Sequence, residues 1–166
     1  IVCVDVIDMG LRVEQFQDKP PKLSPKLVLV FQAADINPGT GKPFEVWVEY
    51  TNAMYAQANL RKFLGSWRGK QYTNEEAAKS ITLAKLMGVT ATGLVEHVTT
   101  KRDRVFGKLT TIMPAPKGTK LAARDYVRGE QWDRRKTNYA AEVSQFRAKL
   151  AVADTPPPLG DDDFPG

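Results

Sequence analysis

Apolar and polar residues alternate along two stretches in the first third of the chain. Residues 1–9 alternate around Val2, Val4 and Val6, and residues 44–51 carry apolar side chains at every second position, a spacing that turns one face of a β-strand toward a core. Residues 27–31 form an uninterrupted apolar run of strand length, which is typical of a central strand. The prolines of residues 19–25 and the Asn-Pro-Gly-Thr-Gly turn of residues 37–41 separate these stretches. The pattern predicts three strands joined as a meander.

The hydrophobic spacing then becomes helical. Residues 56–67 place apolar side chains at three- and four-residue intervals, so we expect a helix that ends at Gly69. Thr73 followed by Glu76 has the spacing of a capping box and predicts a second helix, which continues through Met87. Helical sequence therefore lies between the third strand and the strands that follow.

Two further strands and a terminal helix complete the pattern. Residues 94–100 and 104–113 predict an antiparallel pair, and residues 137–152 predict a C-terminal helix with one apolar face. Five strands with a helix between the third and the fourth follow the order of a small OB barrel. We therefore expect a mainly β, α+β fold: a five-stranded OB-fold barrel in the order β-β-β-α-β-β, then a C-terminal helix and a disordered tail. Other small α+β domains share this strand order.

Charge is unevenly divided along the 166 residues. The chain has 24 Lys+Arg and 19 Asp+Glu, net +5; four of the acids lie in residues 154–166, which hold no Lys or Arg, so the rest carries +9. We expect an OB-fold nucleic-acid-binding domain at 1–116, a basic linker and C-terminal helix at 117–153, and a disordered acidic tail at 154–166. A basic body with an acidic tail fits a nucleic-acid binder. A solvated terminus that keeps the protein soluble is the alternative.

Two parts of the chain resemble known protein families. The tip of the tail reads Asp161, Asp162, Asp163, Phe164 and Pro165. It looks like the acidic C-terminal tip of bacterial and phage single-stranded DNA-binding proteins, with Gly166 in place of their terminal Phe. Residues 2–8 together with residues 59–69 resemble a phage replication-module family, whose members are read as single-stranded DNA-binding proteins of the OB type.

These resemblances imply a non-catalytic single-stranded DNA-binding protein of phage replication or recombination, in the cytoplasm of the bacterial host. Its partners would be single-stranded DNA and, through the tail, replication or recombination proteins. We expect no cofactor and no membrane, since no apolar stretch approaches the roughly 20 residues of a membrane span; a homo-oligomer is left open. The alternatives are a protein-binding adaptor or structural protein with an OB barrel, and an RNA-binding OB protein.

The candidate DNA-binding surface combines cations with aromatic rings, a combination that neutralises phosphates and stacks on bases. Its residues are Trp47, Arg61, Lys62, Arg68, Lys70, Tyr72, Lys101, Arg102, Arg104, Phe106 and Lys108. Arg104, Phe106 and Lys108 alternate and so share one strand face, unless Phe106 turns inward. Trp47 either stacks on a base or packs beneath the C-terminal helix. We expect the hairpin at residues 101–108 to be the main contact.

A second basic patch precedes the terminal helix. Its members are Arg124, Arg128, Arg134, Arg135 and Lys136, with Tyr126 and Trp132 among them. The interleaved aromatic rings favour an extension of the nucleic-acid path, and a solvated linker is the alternative.

Signals for catalysis or metal binding are weak. His97, the only histidine, lies on a predicted strand between valines, which indicates a structural or surface role. Cys3 lies in an apolar run and is expected in the core. Asp5 and Asp8 are three apart on a strand and so face opposite sides. Residues 37–42 form a turn without the spacing of a phosphate loop. The sequence favours a protein that is not an enzyme.

Overall fold

The computed structural model describes residues 1–79 and 82–153, which form a mixed α+β fold. The first sheet is the antiparallel meander that the alternating sequence predicts. Its strands are β1 (Val2–Glu14), β2 (Lys22–Ile36) and β3 (Pro43–Thr51), with β2 in the middle. The break expected at residues 19–25 is shorter than predicted, because β2 begins at Lys22 and Pro25 pairs with Leu11 within the sheet. The acidic tail at residues 154–166 lies outside the described residues, so its disorder stays a prediction.

Strand β2 is buried on both of its faces. Val28, Leu29, Val30 and Phe31 are each 2% exposed or less, although neighbouring side chains of a strand point to opposite sides. Leu29 and Phe31 reach one hydrophobic core, and Val28 and Val30 reach another. Burial on both faces explains why residues 27–31 form an uninterrupted apolar run instead of an alternating one.

The second sheet is an antiparallel hairpin. Its strands are β4 (Ala91–Thr99) and β5 (Val105–Pro114). It meets the first sheet where Val2 forms a bridge with Thr90, and where Gly107 lies so close to β3 that an added Cβ would sit 3.2 Å from Val46. The described strands nevertheless form two hydrogen-bonded sheets, and no closed barrel is observed among them.

Helix α1 (Asn59–Arg68) packs against the core between the sheets. The ring of Trp67 meets the ring of Phe31 edge-on, with the centroids 5.3 Å apart, and Phe63 meets Phe31 in the same way at 6.3 Å. The helix starts three residues later than predicted. It ends as predicted at Gly69, whose φ of 73° is in the left-handed region that glycine adopts without strain.

The prediction of one long helix through Met87 is wrong. The capping box is present, because the Thr73 hydroxyl accepts from the Glu76 N–H and the Glu76 carboxylate accepts from the Thr73 N–H. Helix α2 (Asn74–Ala78) is short, however, and the backbone directly after it is extended (φ −74°, ψ 134°). A 3₁₀ helix follows at Leu83–Leu86. A 3₁₀ turn places its first and fourth residues on one side, so both leucines pack against the core.

Helix α3 (Glu130–Ala153) is longer than predicted. It begins seven residues before residue 137, so the expected linker at residues 117–136 is partly helical. Its buried side chains, Trp132, Tyr139 and Val143, follow one another at seven- and four-residue intervals and share one face. These first two turns were not predicted because the sequence from Glu130 to Lys136 is polar apart from Trp132.

Two hydrophobic cores result. The inner core lies between the two sheets and α1 and contains Cys3, Leu27, Leu29, Phe31, Val46, Leu60, Leu64, Trp67, Ala91, Leu109 and Ile112. The outer core lies between the first sheet and α3 and contains Ile7, Met9, Val28, Val30, Trp132 and Tyr139. Helix α3 therefore covers the face of the meander that points away from the hairpin.

A buried carboxylate holds the segment before α3 on the first sheet. The Asp5 side chain, 6% exposed, accepts from Arg128 Nε at 2.7 Å and Nη2 at 2.6 Å, and from the Tyr126 hydroxyl at 2.8 Å. Burial alone would raise the pKa of Asp5, but these hydrogen bonds outweigh it and hold the pKa below its ordinary value. Asp8, in contrast, is exposed.

A second carboxylate holds α3 itself. Glu49 of β3 accepts from Arg12 Nη1 at 3.2 Å and from the Tyr139 hydroxyl at 2.8 Å, and Arg135 Nη2 lies 3.6 Å from it. Burial, together with the hydrogen bond to Glu49, raises the pKa of Tyr139. Helix α3 is thus held by polar contacts as well as by the outer core.

Candidate nucleic-acid interface

The tip of the β4–β5 hairpin presents three cations on a fixed turn. The Thr100 hydroxyl accepts from the backbone N–H of Arg102 at 3.3 Å and of Arg104 at 3.1 Å. The Thr100 N–H donates to the Arg104 C=O at 2.8 Å, and Asp103 adopts a positive φ of 55°. The side chains of Lys101, Arg102 and Arg104 are exposed. The turn therefore holds their backbone while leaving their charges in water.

Next to this tip, β5 exposes an aromatic ring and a further cation. Gly107 faces inward, since an added Cβ would lie 3.1 Å from Val95 and 3.2 Å from Val46. Phe106 and Lys108, its neighbours, therefore face outward, and Phe106 is 48% exposed. Arg104 lies in the turn before β5 begins, so the predicted common strand face comprises Phe106 and Lys108 alone.

A groove of ≈ 400 Å³ runs between α1 and β5. Lys62 and Ser66 line it from α1, Thr110 and Thr111 line it from β5, and Tyr50 lines it from β3. Lys62 is exposed. The groove borders β5 two residues beyond Lys108, reaches Tyr50 near the end of β3, and adds the charge of Lys62.

Arg61, a predicted DNA-binding residue, is engaged within the protein. It donates from Nη1 to the Met54 C=O at 3.3 Å, and from Nη2 to the Tyr72 C=O at 2.6 Å and the Asn74 side chain at 3.0 Å. Its guanidinium therefore joins the segments on either side of α1. Because these hydrogen bonds occupy the guanidinium, we expect Arg61 to hold neighbouring residues in place more than to pair with a phosphate.

Arg68 is engaged in a similar way. Its Nη2 lies 2.9 Å from Glu76 Oε2, and its guanidinium sits 3.9 Å above the centre of the Tyr72 ring. The hydrogen bond from Arg68 is the main cause that lowers the pKa of Glu76 to about 2. Arg68 also donates to the C=O groups of Lys70 and Gln71 at 3.0 Å. This network fixes the loop after α1 and leaves the Lys70 side chain exposed.

Trp47 contacts α3. Its ring meets Trp132 edge-on at 5.3 Å between centroids, and the Arg135 guanidinium sits 4.8 Å from its centre. The side chain is still 45% exposed. Of the two interpretations of Trp47, packing beneath the C-terminal helix is the one with contacts in the structure.

The second basic patch is divided by the fold. Arg128 pairs with Asp5, and Arg135 lies on Glu49 and Trp47. Tyr126 and Trp132 contact the outer core, so they are not free rings. The exposed cations that remain are Arg124, Arg134 and Lys136. Most of the patch thus attaches α3 to the first sheet, a role that its composition did not indicate.

Two exposed aromatic residues were missed by the sequence reasoning. Phe16, in the loop after β1, and Tyr55, between β3 and α1, line one cavity together with polar side chains. They are 39 residues apart in polar segments, so no local pattern connects them. Their exposure is the signal that identifies them, since large exposed aromatic residues often mark binding surfaces.

Signals for other chemistry are weak in the described residues. Over residues 1–79 and 82–153, no group of three or more His, Cys, Asp and Glu side chains is placed to hold a metal ion. His97 is exposed on β4, and Cys3 is buried, which raises the pKa of its thiol to about 12. Within the same residues, no helix has the length and apolar character needed to cross a membrane.

Comparison with known proteins identifies no relative. Neither a protein-family model, nor a curated protein, nor a solved structure matches this chain. Function is therefore inferred from the residues of the chain itself.

Proposed function

We propose that the chain is a non-catalytic single-stranded DNA-binding protein of phage replication or recombination. The observation that carries this proposal is the outward surface of the β4–β5 hairpin. Phe106 and Lys108 lie on β5, and Lys101, Arg102 and Arg104 lie at the tip beside them. Among the described residues, none of these four cations forms an ion pair. Free cations around an exposed ring are what a single strand needs for phosphate neutralisation and base stacking.

The arrangement of strands supports an OB-type barrel that is incompletely hydrogen-bonded. The bridge from Val2 to Thr90 brings β1 beside β4, and the approach of Gly107 to Val46 brings β5 beside β3. Together with the two sheets, these contacts give the circular order β1-β2-β3-β5-β4. In OB folds the loop between the last two strands contacts oligonucleotides. The cationic hairpin tip is that loop here.

Affinity in this proposal is mostly electrostatic. Five exposed cations, Lys62, Lys101, Arg102, Arg104 and Lys108, lie on the hairpin or in the groove beside it. If each neutralises one phosphate of a single strand, the log–log slope of affinity against salt is about −3.5. Phe106 adds stacking, which is worth about 1–3 kcal/mol by alanine substitution.

Titration of labelled oligonucleotides by fluorescence anisotropy at several salt concentrations tests the proposal. Single-stranded DNA is expected to bind more tightly than duplex DNA of the same sequence, with little sequence preference. Phe106→Ala is expected to weaken binding by about 1–3 kcal/mol. Arg104→Ala is expected to make the salt slope shallower by about 0.7.

Two exposed residues on other surfaces serve as controls. Lys149→Ala removes a charge from α3 and Val127→Ala removes apolar surface before it, and neither is expected to change affinity. Melting curves of all variants separate binding from folding. A salt-independent affinity, tighter binding of duplex DNA, or equal effects of Arg104→Ala and Lys149→Ala would refute the proposal.

One observation favours a second candidate function, docking of a protein partner. Leu94, Phe106 and Met113 are all exposed on the same hairpin. An adaptor would use this apolar surface, and its cations would be incidental. If wild-type protein binds single-stranded DNA and RNA no more tightly than duplex DNA, the adaptor is favoured.

In either case we propose that residues 161–165 recruit replication or recombination proteins.

A further inference from the structure

A cavity of ≈ 310 Å³ opens between the ends of β1 and β3 and the start of α1. Its volume is at the lower end of the roughly 300–1,000 Å³ of small-ligand pockets. Lys26, which is buried, lies at its floor, and two exposed aromatic residues, Phe16 and Tyr55, stand at its rim. The cavity thus combines a polar floor with aromatic walls.

The charges at the floor of this cavity, Lys26, Glu14 and Glu49, are paired within the protein. Lys26 Nζ donates to the Glu14 carboxylate and, at 3.1 Å, to the Thr51 hydroxyl. Glu49 accepts from Arg12 and Tyr139. A phosphate would therefore find no unpaired cation at the floor. The lining suits a neutral ligand with hydrogen-bonding edges.

The two aromatic residues are held on fixed turns. The C=O of Phe16 accepts from the Lys19 N–H at 3.0 Å, and the C=O of Tyr55 accepts from the Ala58 N–H at 2.9 Å. Phe16 is 59% exposed and Tyr55 is 65% exposed, so both rings have free surface. An exposed ring on a rigid backbone is a platform on which a base can stack at little entropic cost.

The cavity continues the groove beside the hairpin. Tyr50 and Asn59 line both the cavity and the groove. Lys62, from α1, and Thr111, from β5, lie in the groove. A strand that follows the groove away from the hairpin therefore reaches the cavity directly.

We propose that this cavity receives one unstacked nucleobase of the bound strand. Phe16 and Tyr55 stack against the base. Tyr50, Gln57 and Asn59 stand around its polar edge. Lys22, an exposed residue that also lines the cavity, meets the adjoining phosphate. The inference rests on the proposed function, since it places one nucleotide of the strand that the hairpin binds.

Alanine substitution of the two aromatic residues tests the inference. Phe16→Ala and Tyr55→Ala are each expected to weaken binding of an oligothymidylate by about 5- to 150-fold, the range for loss of one base–aromatic stack. The salt slope should stay unchanged because no phosphate contact is removed. Binding of an oligonucleotide made of abasic sites should not respond to either substitution. Val127→Ala is the control, and melting curves confirm that all variants fold.

The possible outcomes separate this inference from the proposed function. If wild-type protein binds single strands while both aromatic variants bind oligothymidylate as tightly as Val127→Ala, the cavity assignment is overturned and the hairpin assignment stands. If wild-type protein binds no strand, the proposed function fails, and an NMR titration with thymidine decides the cavity alone. Saturable shift changes at Phe16 and Tyr55 would support it, and their absence would overturn it.

Discussion

The pair of Asp5 and Arg128 gives a quantitative test of how α3 is attached. Arg128→Ala removes both charged hydrogen bonds from a buried carboxylate, which keeps its contacts with the Tyr126 hydroxyl and the Val6 N–H. Leaving a buried charge without its partner costs about 3–5 kcal/mol. The Arg128 side chain is 49% exposed, so solvent screening reduces this cost. We expect a loss of about 2–3 kcal/mol in the free energy of unfolding, near the cost of one hydrogen bond to a charged group.

Urea and thermal denaturation followed by circular dichroism measure this loss. For a chain of this size the melting temperature should fall by about 4–12 °C. Arg134→Ala, which removes an exposed arginine of α3 that forms no ion pair among the described residues, should change it little. Because the pKa of Asp5 is lowered in the folded protein, the contribution of the pair is complete above the ordinary aspartate pKa of about 3.9 and is lost as the pH falls below it.

Two results would refute this reasoning. Arg128→Ala could melt together with Arg134→Ala, in which case the pair adds nothing to stability. Alternatively, the difference between wild type and Arg128→Ala could stay constant from neutral pH down to acid, in which case the carboxylate of Asp5 is not the group responsible. A double-mutant cycle with Asp5→Asn isolates the pairwise contribution.

Two further predictions concern backbone geometry and the lone thiol. Gly69→Ala should destabilise the protein more than Gly88→Ala. Both glycines have positive φ, which costs an alanine about 1–2 kcal/mol, but only at Gly69 would the new Cβ lie 2.7 Å from Pro114. Equal losses of unfolding free energy in urea denaturation would contradict this. Cys3 should react with a thiol reagent far more slowly in native protein than in urea, because burial raises the pKa of its thiol to about 12. A native reaction rate near that of free cysteine would place Cys3 outside the core.

The strands and their order were predictable because their signals are local. Alternation over residues 44–51 and the apolar run of residues 27–31 each lie within one strand. The extent of α3 was not predictable, since its first two turns are polar apart from Trp132. The burial of Trp132 depends on its contact with Trp47 of β3, which the local sequence does not indicate. The break after α2 was missed for a related reason: a 3₁₀ turn that places leucines on the core replaces the expected helix.

The partners of the candidate site residues were even harder to predict from the sequence than the ends of the helices. Sequence reasoning counted cations, and it could not see which of them have partners. Arg128 pairs with Asp5 from 123 residues away, and Arg61 and Arg68 hold backbone groups around α1. The exposure of the hairpin cations could be predicted because they lie in a short turn, where side chains mostly face water.

Because both faces of β2 are buried, fragments of the chain that uncover one face are prone to aggregate. Residues 27–31 read Leu-Val-Leu-Val-Phe, an uncharged segment with high β-propensity. In the complete fold it is never an edge strand, since β1 and β3 flank it. Any fragment that ends before α3, whether from truncation, proteolysis or unfinished synthesis, exposes Val28 and Val30 to water. Helix α3 therefore covers an aggregation-prone segment. We expect fragments that lack α3 to be insoluble even where both sheets are complete.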